Sequence, residues 1–282
     1  MDTDAEQPTV YHCLTRQNIG HIACGDNVVW EKTSTDPNVF EGVVTALIDR
    51  QTVLTRSTFS ETDKPLAANI TQLIIVLAPQ PEPSEYLVDQ YLIAAESIGV
   101  KAVIVINKAD LLDNEQKAAL QARFQTYEHI GYHVVFVSTK TDKGLQPLLK
   151  NLAGETSILV GQSGVGKSSL TNTLLPELDI ETQKLSAKKQ LGQHTTSAST
   201  LYFLNKDARL IDSPGVRSFR PGTIDKSLLE NGYREFKPFL GQCKFSNCSH
   251  TSEPGCALIE ACENGEIAQI RLDNFRHMAS KL

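Results

Sequence analysis

From Val10 to Arg56 the apolar positions come in short runs rich in β-branched and aromatic side chains, such as Asn27 to Trp30 and Val39 to Leu47. Gly20, Gly25-Asp26 and Asp36-Pro37 separate these runs as turns do, and the spacing predicts a small antiparallel β unit, either an OB-like barrel or another small β domain. After Lys64-Pro65 the rhythm changes. Apolar strands at Leu73 to Leu77, Ala102 to Ile106, Val134 to Val137 and Ser157 to Val160 alternate with helical patterns around Ser84 to Ile98, Asn114 to Glu128 and Leu145 to Leu152. Strands that are apolar on both faces belong to a parallel sheet covered on both sides, so the middle of the chain reads as a doubly wound α/β domain. Beyond Gly222 a short helical stretch, a Cys/His cluster and a terminal helix near Ile267 to Met278 predict a small, mostly helical appended domain. The expected units are residues 1–64, 65–222 and 223–282.

Composition narrows the class. The chain has 282 residues, 40% of them hydrophobic and 21% charged, and neither end carries the apolar run of a signal peptide or membrane span, so a soluble, cytoplasmic protein with no membrane partner is expected. The formal net charge of -6 argues against loose, nonspecific binding to nucleic acid but leaves a structured RNA partner open, met through local patches. Of the six cysteines, Cys243, Cys248 and Cys256 crowd together with His250 while Cys13, Cys24 and Cys262 are scattered, a pattern that favours metal over disulfides. The Cys-x₄-Cys-x-His-x₅-Cys spacing offers four ligands within fourteen residues, enough to close a tetrahedral, structural Zn²⁺ site with Cys262 as a bystander.

The most specific signal is Gly161-Gln162-Ser163-Gly164-Val165-Gly166-Lys167-Ser168, followed by Ser169 and preceded by the strand Ser157 to Val160. It matches the phosphate-loop pattern: backbone N–H groups turn onto phosphate oxygens, Lys167 reaches the β- and γ-phosphates, and Ser168 offers a hydroxyl to Mg²⁺. Asn107-Lys108-Ala109-Asp110, at the end of the strand Ala102 to Ile106, selects the base, because the Asp110 carboxylate accepts from guanine N1–H and N2–H₂ and meets an acceptor on adenine. Ser138-Thr139-Lys140 is the expected second loop against the base. Asp212-Ser213-Pro214-Gly215 ends the strand Ala208 to Ile211, where Asp212 can hold a Mg²⁺-bound water and the Gly215 N–H can sense the γ-phosphate. From Gly192-Gln193-His194-Thr195-Thr196 a threonine, Thr196 before Thr195, is expected to complete the Mg²⁺ shell; an ordinary loop is the alternative. Val216 stands where many GTPases carry a water-positioning glutamine, so His194 is the candidate to orient the water, against a solvated or RNA-contacting histidine.

The order of these pieces is permuted, since Asn107 precedes Gly161 by 54 residues, whereas in ordinary GTPases the phosphate loop comes first. On Lys64 to Asn69, Asn107 to Asp110, Gly161 to Ser169, Gly192 to Thr196, Asp212 to Gly215 and the Cys243, Cys248, His250, Cys256 cluster, nearly the whole chain resembles the ribosome-small-subunit-dependent GTPases. That resemblance implies an N-terminal OB fold, a circularly permuted GTPase domain and a zinc domain. It also implies GTP and GDP as ligands, Mg²⁺ with GTP, and late maturation of the small ribosomal subunit through its rRNA, with hydrolysis stimulated by that subunit. A monomer is expected. The family pattern also includes a longer, basic C-terminal extension, where this sequence stops at Leu282, and the N-terminal segment here is acidic. A nucleotide-gated RNA-binding scaffold with incidental hydrolysis is the alternative from another class, and Asn107 to Asp110 argues against a metabolic P-loop kinase.

Overall fold

In the computed structural model, which describes residues 9–36, 39, 41–56, 64–141, 144–175, 199–213 and 225–282, the N-terminal β signals form five strands. These are β1 (His12–Thr15), β2 (Val28–Lys32), β3 (Glu41–Leu47), β4 (Val53–Arg56) and β5 (Lys64–Ala68). They are divided between a β1-β3-β2 sheet and a β4-β5 hairpin, joined through a bridge between Cys24 and Ala67. The pairing is mixed, not wholly antiparallel as the turn spacing suggests: β2 and β4 pair antiparallel with β3 and β5, but β1 runs parallel to β3. The chain between β1 and β2 is long enough to carry β2 to the other edge of β3. Strand pairing in this unit runs to Ala68, past residue 64, because Pro65 sits at a register shift in β5 where its missing N–H costs no ladder bond. Asn69 then ties the unit shut, with Nδ2 donating to Gly25 O at 3.0 Å and Oδ1 accepting from Gln51 N at 2.9 Å.

Three residues later the chain enters the six-stranded sheet. Its elements in chain order are β6 (Gln72–Leu77), α1 (Glu85–Ile98), β7 (Lys101–Ile106), α2 (Asn114–His129), β8 (His133–Phe136), α3 (Gln146–Leu152), β9 (Thr156–Val160), α4 (Lys167–Leu174), β10 (Thr200–Phe203) and β11 (Arg209–Asp212). The strand order is β10-β11-β9-β6-β7-β8, parallel throughout except for the antiparallel edge strand β10. Side chains of β6 alternate between the faces, as a pleat requires: Leu73, Ile75 and Leu77 pack with Val88, Leu92, Phe124 and Tyr127 of α1 and α2, and Ile74 and Val76 with Leu148 and Leu170 of α3 and α4. The first of these cores also takes in Leu54 and Ala67 from the N-terminal unit and Ile211 from β11. Strand β10, which carries the short apolar run Leu201 to Leu204, is not among the strands expected from the sequence.

The C-terminal part is helical, with α5 (Lys226–Asn231), α6 (Ala257–Glu263) and α7 (Gln269–Ala279). It is not an independent body. Ile93 of α1 is part of its core, beside Leu229, Tyr233, Phe236 and Phe275, and a buried polar network crosses the same boundary. Arg271 on α7 is fully buried, bonds Asp89 of α1, and donates to Glu235 Oε1 at 2.6 Å; Asp89 also accepts from Tyr127 Oη at 2.8 Å and Asn274 Nδ2 at 2.7 Å. Among the described residues no helix is long and apolar enough to cross a membrane.

Candidate nucleotide site and metal centre

The loop from Gly161 to Gly166 joins β9 to α4, at the end of the sheet where parallel strands leave their carboxyl termini. Gly166 caps α4 with a left-handed φ of 95°, and a Cβ there would overlap Asn107 Nδ2, so only glycine lets the segment after β7 approach this closely. Lys167 folds back over the loop, its Nζ donating to Gly161 O and Gln162 O at 2.6 Å each. An ammonium over the loop, together with the first-turn N–H groups of α4 that carry Ser168 and Ser169, makes this an anion cradle. Tyr91 of α1 meets the Gly161 backbone from below, and burial pushes its hydroxyl up to about 12.

Asn107, Lys108 and Asp110 follow β7, two strands from β9, and the first two bond directly to the phosphate loop. Asn107 Nδ2 donates to Val165 O at 2.9 Å, and Lys108, in the left-handed region with φ 59°, reaches Gly164 O at 2.6 Å. Asn107 Oδ1 is buried and has no partner among the described residues, which leaves an acceptor available in the site. The segment is pinned to its neighbours by Asn107 N to Leu77 O, 2.8 Å, and Ala109 N to Val137 O, 3.0 Å. Asp110 accepts from Ser138 Oγ at 2.6 Å and lies 3.7 Å from Lys140 Nζ, with Thr139 between them in the same turn. The Ser138 hydroxyl holds the Asp110 carboxyl below its usual range, so the group is an ionised acceptor, the form that a guanine edge satisfies.

Strand β11 lies parallel to β9, with Ile211 opposite Ile158, and so delivers Asp212 to the same end of the sheet as the phosphate loop. Ser213 accepts from Ser199 Oγ at 2.7 Å. His194, Thr195, Thr196, Gly215 and Val216 lie outside the described residues.

The cysteine and histidine cluster assembles as its spacing predicts. One ligand atom from each of Cys243, Cys248, His250 and Cys256 lies within 4.8 Å of the others, and Cys243 Sγ is 4.0 Å from Cys256 Sγ. A tetrahedral ion with Zn–S bonds of about 2.3 Å needs sulfurs roughly 3.8 Å apart, so the donor set fits a structural zinc. Burial holds His250 below its usual range, in the neutral form in which an imidazole ligates, whereas the same burial pushes the Cys248 thiol up to about 12, so binding a cation there must release the thiol proton. Cys262 Sγ points elsewhere, donating to Gln269 Oε1 at 3.2 Å. Sequence reasoning misses two residues of α5 beside this cluster: Lys226, whose Nζ donates to Cys248 O at 2.6 Å, and Glu230, 3.2 Å from His250 Nε2. The loop between Cys248 and Cys256 is braced by Glu253, whose carboxylate accepts from Ser249 N at 2.7 Å and Thr251 N at 2.9 Å.

Residues 47–221 match the family model described as RsgA GTPase. The chain is 43% identical over 279 residues to the small ribosomal subunit biogenesis GTPase RsgA 1 of Vibrio vulnificus, covering 99% of this chain and 79% of that protein. It is 45% identical to the RsgA of Alcanivorax borkumensis, covering 99% of this chain and 78% of that one. Among solved structures, YjeQ from Thermotoga maritima superposes with a TM-score of 0.75 at 32% identity, over 96% of this chain and 89% of that one. The circularly permuted GTPase YloQ gives 0.74 at 27% identity, over 99% and 88%.

Proposed function

The chain belongs to the RsgA GTPase family and is a GTP-hydrolysing enzyme, and we propose that it acts as a single chain in the cytoplasm on the small ribosomal subunit late in that subunit's maturation, with turnover stimulated by the subunit. The observation that carries the GTP assignment is the direct bonding of the base-reading segment to the phosphate loop, Asn107 to Val165 and Lys108 to Gly164, beside an ionised Asp110. In this reading Asn107, Lys108 and Asp110, with Ser138, Thr139 and Lys140, hold the guanine. Gly161 to Ser169 cradle the phosphates. The charge that develops on the phosphates during hydrolysis is what a Mg²⁺ held here with GTP would neutralise. Ser168 and Thr196, or its sequence neighbour Thr195, would offer hydroxyls to the metal, Asp212 would orient a water bound to it, and the Gly215 N–H would sense the γ-phosphate. The small subunit is met through rRNA by the flanking units.

Val216 cannot orient a water, which keeps a second reading in view: a nucleotide-gated RNA-binding scaffold whose hydrolysis is incidental. GTP turnover measured with and without purified small ribosomal subunits separates the two. Stimulation is expected, and His194→Ala should abolish most of it while leaving GTP affinity nearly unchanged, because the residue acts on water and not on bound nucleotide. A rate that the subunit does not raise defeats the proposal and leaves the scaffold.

A further inference from the structure

His250 has two ring nitrogens in different surroundings. Nδ1 faces sulfur, 3.5 Å from Cys243 Sγ and 3.3 Å from Cys256 Sγ, whereas Nε2 lies 3.2 Å from Glu230 Oε1. A neutral imidazole carries one proton, so if Nδ1 gives its lone pair to a cation the proton sits on Nε2, and Glu230 Oε1, buried and without a hydrogen-bond partner among the described residues, is the acceptor within reach. The contact is secluded: the His250 side chain is 6% exposed and that of Glu230 18%. Glu230 belongs to α5, and one turn earlier on the same helix Lys226 lies 3.5 Å from the Glu230 carboxylate while its Nζ donates to Cys248 O. One short helix therefore grips two of the four ligand-bearing residues from outside, one by its ring and one by its backbone.

We propose that Glu230 is the positioning residue of the metal centre: by accepting the Nε2 proton it fixes the His250 tautomer and ring orientation for binding through Nδ1, with Lys226 balancing its charge. The inference rests on the zinc reading of the cluster and not on the GTPase activity. A carboxylate behind a metal-bound imidazole raises the basicity of the ligand, and losing such a partner typically weakens metal binding about 10- to 100-fold.

The test uses full-length, zinc-loaded protein and transfer of zinc to a chromogenic chelator. Glu230→Ala should weaken zinc retention about 10- to 100-fold, and Glu230→Gln, which keeps an acceptor oxygen without the charge, by less. Asp225→Ala controls for loosening of α5: it removes the cap to Leu228 N, 2.7 Å, without reaching His250, and should change zinc affinity less than Glu230→Ala does. If Glu230→Ala holds zinc as tightly as Asp225→Ala does, the proposal fails. A second readout needs no variant. Long-range ¹H–¹⁵N spectra of the zinc-loaded protein should show His250 metal-bound through Nδ1 with a deshielded Nε2–H that moves in Glu230→Gln. Binding through Nε2 overturns the assignment, and a protein that folds and purifies without metal overturns the zinc reading beneath it.

Discussion

Asp110 stands in the candidate site as an ion. The Ser138 hydroxyl at 2.6 Å and Lys140 behind it stabilise the carboxylate, and a carboxyl held below its ordinary value near 4 is fully ionised above that value and loses its charge only as pH falls through the lowered one. The Asp110 contribution to GTP affinity, read as the ratio of wild-type to Asp110→Ala affinity, is therefore expected to be flat from about pH 5 to 8, and in Ser138→Ala its acid limb should move upward towards the ordinary aspartate range. Asp110→Asn should exchange guanine for xanthine preference, because an amide donates where the xanthine 2-oxygen accepts; calorimetry with GTP and XTP checks both, and a variant that still prefers GTP contradicts the role. The candidate motifs were visible in the sequence because each lies within a short local pattern: a glycine turn before a helix, a tetrapeptide after a strand, four possible ligands in one loop. Glu230 was not, since a helical glutamate beside a lysine four residues away looks like any solvated pair until the fold sets it against His250.

Helix α1 shows what local patterns cannot reveal. Its start is ordinary, with Ser84 Oγ accepting from Leu87 N at 3.4 Å, and its apolar face fits any α/β layer. Yet Tyr91 supports the phosphate loop, Ile93 enters the C-terminal core, and Asp89 meets Arg271, 182 residues away in sequence. No periodicity couples positions so far apart, so reading residues 223–282 as an appended domain follows from local composition and misses the shared core. Arg271 is 0% exposed, stacks 4.3 Å over the Tyr233 ring and is the cation against Asp89. Arg271→Met should strand a buried carboxylate and cost about 3 to 5 kcal/mol, whereas adding Asp89→Asn should recover much of the loss. Thermal unfolding of the single and double variants checks this, and an unchanged midpoint in Arg271→Met would show that the pair contributes nothing.

At the scale of the whole molecule, the three sequence segments are fused through common cores, so a change at the nucleotide site has a short path to both flanks. Tighter binding of the small subunit with a non-hydrolysable GTP analogue than with GDP is expected, and a coupling of about 1 to 3 kcal/mol suffices to detect it. Deleting residues 223–282 would be a poor control, because it would strip the cover from Ile93 and Asp89; the Cys248→Ala and Arg271→Met variants perturb the same flank more gently. Equal subunit affinities in the two nucleotide states refute the coupling without touching the GTPase assignment. The seam at the other flank has its own consequence. Leu54 and Ala67 of the N-terminal unit pack in one core with Ile211, the residue just before Asp212. Linkage has no preferred direction: whatever GTP does to the fit along that seam, anything that grasps the N-terminal unit does back to GTP, in equal measure. A surface far from the phosphates thus becomes a handle by which a bound partner can set how firmly the nucleotide is kept.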